Sequence, residues 1–156
     1  MYDLRAIANY FIERGKEEGK DVSPMKLQKL MFFAYGLYLA SKDKPLFSDR
    51  FEVWPYGPVI SDLYHTVKSY GSRSIDKPIL ELDLKTMEFR IPRVDEKDKE
   101  LSTFLAEFWM TYRDYDAIRL SNATHREGTP WKLSLDEGKS VIPDEYMRAY
   151  FKKYLN

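Results

Sequence analysis

Along most of this chain apolar residues recur every three to four positions or, in short stretches, every second one. The region that obeys neither rhythm is the most telling. From Leu30 to Ala40 apolar and aromatic side chains fall on every side of a helical projection, which in a soluble chain describes a helix enclosed by other elements. Ser23 can cap the free amides of a helix start, and Pro24 suits the first helical position because its missing N–H would have no partner there. The spacing therefore predicts a buried central helix over about residues 24–41. Gly36 inside it costs roughly 1 kcal/mol relative to alanine, so its use is to let a neighbouring backbone or ring approach closely.

The flanking pattern supplies what wraps this helix. Leu4, Ile7, Ala8, Phe11 and Ile12 mark a first helix, capped by Asp3 and ending near Gly15, followed by an exposed link over 16–22. Pro45-Leu46-Phe47 opens an extended run through Phe51 to Trp54. Gly57-Pro58 then starts a helix whose stripe is Ile60, Leu63, Tyr64 and Val67, ended by Gly71. Ile79 to Leu82 and Met87 to Ile91 predict a small β-hairpin near residues 78–92, which must pack on the helices or be irregular. Leu101, Phe104, Leu105, Phe108, Trp109 and Tyr112 form the next helix, with a shorter one from Asp116 to about His125. Gly128, Pro130 and the stretch to Ile142 interrupt helicity, and Pro143 and Asp144 open a last helix carrying Met147, Tyr150, Phe151 and Tyr154. The fold class is mainly α: a single compact helical domain over residues 1–156 around its central helix.

Composition narrows the functions. Lys plus Arg equal Asp plus Glu at 25 each, so the chain lacks the excess charge that drives attachment to phosphates or anionic membranes. Nucleic acid and membrane are disfavoured as partners. Cysteine is absent, which excludes disulfides, thiolate metal sites and thiol nucleophiles and fits a reducing cytoplasm. Twelve Tyr, nine Phe and three Trp offer large packing area with polar tips, suited to a core or to a protein interface.

Candidate chemistry is sparse. His65 and His125 lie in different segments without companions at metal-ligand spacing, and no Gly-x-Ser-x-Gly elbow, Walker loop or dinucleotide fingerprint occurs. No cofactor is expected. His65 points at solvent, while His125 ends a helix, where a capping role is the simplest reading; the enzyme alternative pairs His125 with a carboxylate or with Ser121 one turn earlier. Lys26 and Lys29, near Tyr35 and Tyr56, are phosphate contacts of an autoregulatory DNA binder or the exposed edge of the central helix, and zero net charge favours the second. The corner Val53 to Pro58 stands out, because two prolines fix the backbone around Tyr56 while Trp54 and Tyr56 supply surface that loses little entropy on binding. Either the corner displays a recognition surface or Trp54 plugs the core and the prolines aim the next segment. Gln28 is placed to hydrogen-bond this corner or is simply exposed.

The chain resembles the SocA-like antitoxin family, also called the Panacea domain, found in bacterial and phage toxin–antitoxin pairs. The resemblance is carried by Leu27-Gln28-Lys29-Leu30 with Phe33-Ala34 and Gly36, by Pro45-Leu46-Phe47, by Trp54-Pro55-Tyr56-Gly57-Pro58 with Tyr64 beyond, and by Thr124-His125 ahead of Pro130-Trp131. Two positions depart from the pattern: Val53 where a small residue is usual, and Tyr35 where glutamine is frequent, a change that would alter a surface contact. The resemblance implies a mainly helical, non-enzymatic domain that neutralises a cognate toxin by direct contact, in some members as an adaptor to an AAA+ protease. It leaves the identity of the toxin open, since similar domains accompany unrelated toxins. Exposed rings could equally build a homodimer.

Overall fold

A computed structural model, describing residues 1–155, builds the chain from helices α1 (Leu4–Glu18) and α2 (Pro24–Lys42), strands β1 (Glu52–Trp54) and β2 (Gly57–Val59), and helix α3 (Ser61–Val67). Strands β3 (Glu81–Asp83) and β4 (Glu88–Arg90) follow, then helices α4 (Lys99–Tyr112), α5 (Ala117–His125), α6 (Pro130–Asp136) and α7 (Asp144–Phe151). The architecture is mainly α, with two antiparallel two-stranded sheets, β1–β2 and β3–β4. Among the described residues no helix is long and apolar enough to cross a membrane.

The central helix starts as its sequence dictates. Ser23 Oγ accepts the N–H of Lys26 at 3.2 Å, and Pro24 occupies the first turn. Helices α1, α3, α4, α5 and α7 and strand β2 pack around α2, burying Leu27, Leu30, Met31, Phe32, Ala34, Tyr35, Tyr38 and Leu39 on all its faces. Gly36 meets the ring of Phe151 from α7, which lies where a Cβ would stand. The missing side chain is thus what lets α7 seat against α2.

Four local expectations change. Helix α1 does not end at Gly15 but continues to Glu18, and the left-handed cap is Gly19, at φ 66°. Gly15 serves another purpose: a Cβ there would lie 2.6 Å from Val22 Cγ2 and 2.8 Å from Lys20 O, so its absence lets the chain fold back along the helix. The link over 16–22 is accordingly not all exposed, since Val22 is buried. Gly57-Pro58 opens no helix; these residues form β2, paired with β1 in the register Glu52↔Val59, Val53↔Pro58 and Trp54↔Gly57. Proline is tolerated because Val53 turns its N–H outward, to Ser140 O at 2.9 Å, so the Val53↔Pro58 pair exchanges no ladder hydrogen bonds. Helix α3 begins only at Ser61. Finally, Pro130 starts a helix rather than interrupting one: Thr129 caps α6 by accepting the N–H of Lys132 at 3.2 Å.

The β3–β4 hairpin has the expected position, with Leu82 opposite Phe89, but it does not lie down on the helices. Leu84 and Phe89 remain 77% and 69% exposed. A lone two-stranded sheet is marginal in water, and here both legs are clamped at their base by Asn9, which is fully buried on α1. Asn9 Nδ2 donates to Ile79 O at 3.0 Å and to Pro92 O at 2.9 Å, and its Oδ1 accepts the N–H of Ile79 at 2.7 Å.

The seat of Phe151 on Gly36 gives a change of sign that can be measured. Gly36→Ala should destabilise the protein by about 1–3 kcal/mol in urea denaturation, because over-packing outweighs the better helix propensity of alanine. In a Phe151→Ala background, where the ring is gone, the same substitution should be neutral or stabilising by up to about 1 kcal/mol.

Candidate partner-binding site

Two polar residues of α2 reach out of the apolar helix to the β1–β2 hairpin. Gln28, buried, acts as a surrogate peptide unit: its Nε2 donates to Ile60 O at 3.0 Å and its Oε1 accepts the N–H of Ile60 at 2.9 Å. The chain leaving β2 is thereby tied to the central helix through both backbone groups of one residue. Lys29 is 3% exposed, and its Nζ lies 3.4 Å from both Tyr56 O and Pro58 O, on either side of the turn. Burial pushes its ammonium down to about 8. Gly57 sits against it at φ 119°; a Cβ there would stand 2.6 Å from Lys29 Nζ and 3.3 Å from His125 Cε1. Only glycine satisfies both the conformation and the space.

These positions correct the reading of the two lysines, which belong neither to a phosphate-binding surface nor to an exposed edge. Lys26 is buried as well and donates from Nζ to Arg113 O at 2.6 Å. Both side chains are buried, and each head is spent on backbone carbonyls.

The second half of the site comes from the α5–α6 corner. Trp131, buried on α6, donates its indole N–H to Trp54 O at 2.9 Å. The ring of His125 lies 4.4 Å from that of Trp131, tilted by 58°. His125 Nδ1 is 2.6 Å from Ser121 O; a carbonyl can only accept, so Nδ1 carries the proton and the ring satisfies a carbonyl in the last turn of α5. Contact between Ser121 and His125 therefore runs through the backbone and not through the serine hydroxyl, which is no arrangement of nucleophile and base. Thr124, also buried, donates to the same Ser121 O at 2.7 Å. Thr129 Oγ1 lies 2.8 Å from Thr124 O while it caps α6, and Pro130 is buried beside it.

Ten of the twelve candidate residues thus converge on one hub: Gln28 and Lys29 from α2, Trp54, Tyr56, Gly57 and Pro58 from the hairpin, and Thr124, His125, Pro130 and Trp131 from the α5–α6 corner. Tyr64 joins at the rim, its ring 4.9 Å from that of Trp54 at 63°. The hub's outer face is aromatic: Tyr56 is 78% exposed at the tip of the turn, Trp54 is half-buried and Tyr64 partly exposed. Tyr35 is the exception. It faces the core and not the surface, donating its hydroxyl to Asp144 Oδ1 at 2.8 Å, while Arg50 pairs with the other carboxylate oxygen, Oδ2, at 2.7 Å. Burial and that carboxylate push its phenol up. A glutamine-sized surface contact is therefore not what the tyrosine changes.

Sequence reasoning missed the third segment of the hairpin. Ser140, Val141 and Ile142 run beside β1: Val53 N–H meets Ser140 O, Ile142 N–H meets Phe51 O at 2.9 Å, and Glu52 bridges to Val141. No side-chain pattern announces this edge. Thr129 was legible in principle, since a threonine directly before a proline is a helix-start signature. Among the described residues no three His, Asp or Glu side chains gather in a metal-ligand arrangement.

Residues 27–132 match the family described as antitoxin SocA-like, Panacea domain. The match encloses every hub residue. The chain is also similar to a protein of Caulobacter vibrioides (strain NA1000 / CB15N) named antitoxin SocA, with 28% identity over 131 residues covering 84% of this chain and 69% of that protein. No solved structure matches the chain.

The buried ammonium predicts a pH dependence with a definite sign. The folded-state value of Lys29, about 8, lies below that of a free lysine, about 10.4. Between these values the unfolded chain binds more protons, so this group's contribution to stability rises with pH through the window. The stability difference between a Lys29→Met variant and the parent should accordingly move in the parent's favour by up to about 3 kcal/mol between pH 7 and pH 10.5. Tyrosine titrations cancel in the difference, and a flat difference in urea midpoints would place the ammonium in water.

Proposed function

Because the chain belongs to the antitoxin SocA-like, Panacea domain family, we propose that it acts as a single-domain, non-enzymatic antitoxin in the cytoplasm, neutralising a cognate toxin by direct contact. The observation that carries the surface assignment is the exposure of Tyr56, 78%, on a turn whose backbone is fixed from within by Lys29 and Gln28. A large ring held on a rigid turn loses little freedom on binding and fits the profile of an interface anchor. Trp54 and Tyr64 extend the same face, and the Thr124 to Trp131 segment braces it. Delivery of the bound toxin to an AAA+ protease is the further role this reading accommodates. Self-association through the same rings is its competitor.

Co-expression with the product of the adjacent gene tests the proposal. The parent should restore growth of cells making that toxin and bind it in calorimetry. Tyr56→Ala should weaken binding by about thirtyfold, corresponding to an anchor of about 2 kcal/mol, while leaving the thermal midpoint unchanged. Affinity retained in a Tyr56→Ala protein that has lost stability would make the corner structural. A concentration-dependent dimer abolished by the same substitution would move the surface to self-association.

A further inference from the structure

A cavity of about 250 Å³ opens on the side of the molecule formed by α4, α5 and α7. Its wall is aromatic. Phe33 of α2 stacks on Tyr112 (ring centroids 5.6 Å apart, 19°) and meets the edge of Phe151 (5.8 Å, 87°), and Tyr150 and Tyr154 close the far side. This volume falls below the roughly 300–1,000 Å³ of drug-sized sites and suits one large side chain.

Charge distinguishes this cavity from the other clefts. No acidic residue lines it, and two arginines do: Arg119 in the first turn of α5 and Arg126 directly after its last residue. Seven of the other eight arginines pair with a carboxylate, and Arg73 donates to the carbonyls of Ser69 and Tyr70. Among the described residues Arg119 and Arg126 have no such partner; Arg119 lies instead over the ring of Tyr115, 4.2 Å from its centroid. Lys153 adds a third cation, above Tyr150 at 5.9 Å. In a chain of zero net charge, unpaired guanidiniums around an apolar hole form a local field with no internal counterpart.

We propose that this cavity is a docking site for a partner protein, taking one aromatic or large apolar side chain from an acidic segment whose carboxylates pair with Arg119 and Arg126. The apolar floor rewards a ring, and guanidiniums match carboxylates in a two-pronged geometry that ammonium groups lack. Single-stranded nucleic acid fits less well, because it calls for an open groove that tracks a backbone rather than a hole for one group. The site lies apart from Tyr56, and the assignment does not depend on the partner being a toxin.

Fluorescence anisotropy with labelled pentapeptides tests it. A panel with Trp, Phe, Leu or Ala at the centre is flanked on both sides by Asp and Glu, beside a set with Lys flanks and an oligothymidylate. The ring-centred acidic peptides should bind, more weakly as salt rises. Their affinity should drop about tenfold or more in an Arg119→Glu/Arg126→Glu variant. An Ala123→Phe variant, which fills the cavity, should lose the same binding while the alanine-centred peptide stays weak throughout. Circular dichroism checks folding, and the arginine pair is exposed, so its reversal leaves the core untouched. Equal binding of Lys-flanked peptides, unchanged affinity in the arginine variant, no binding by any acidic peptide, or tighter binding of the oligothymidylate would overturn the proposal.

Discussion

A helix that is apolar on every face has to be covered on every face, and α2 imposes that requirement on the whole chain. Its own register dictates no preferred direction for packing, so the direction comes from its few exceptional residues. Gly36 marks where α7 comes closest, because only there can Phe151 press against the backbone. Gln28 and Lys29 mark where the β1–β2 hairpin attaches, because a buried amide and a buried ammonium must find partners. A helix that would otherwise be an undirected apolar rod thus acquires an address on each side.

Burying Lys26 and Lys29 works against stability, since an ammonium removed from water favours its neutral form. Neither is relieved by a buried carboxylate; both end on carbonyl oxygens. A carbonyl is a weaker partner than a carboxylate, but it belongs to the main chain, so the pairing constrains path rather than side-chain choice. What is lost in free energy is returned as definition of the turn.

How much of this was readable beforehand depends on the kind of signal. Helices with one apolar stripe, and α2 with none, were legible because periodicity is a local property. The cap at Ser23 and the close approach at Gly36 followed from the chemistry of single residues. Errors cluster at glycine and proline, whose meaning depends on the neighbour they serve: Gly15 accommodates Val22 and does not end α1, Pro58 sits in a strand pair that needs no N–H, and Pro130 opens a helix because Thr129 precedes it. The buried state of the lysines and the pairing of Ser140 with β1 were invisible, as each is set by residues distant in sequence, from 27 positions away for Lys29 to 87 for Lys26 and Ser140. The hub itself was visible as a list of positions but not as an assembly. Tyr35 shows the reverse fault: adjacency in a motif suggested a surface, whereas its rotation about α2 placed it inside.

The bonds that fasten the corner share one property. Lys29 takes the carbonyls of Tyr56 and Pro58, Trp131 takes the carbonyl of Trp54, and Gln28 takes both backbone groups of Ile60. None of them engages the side chain at position 56. Every residue type brings the same carbonyl, so the architecture of the turn is indifferent to what stands at its tip, and mutation can explore that position while the scaffold stays constant. Such a separation between the part that holds and the part exposed to solvent leaves the tip free to vary without the fold being rebuilt.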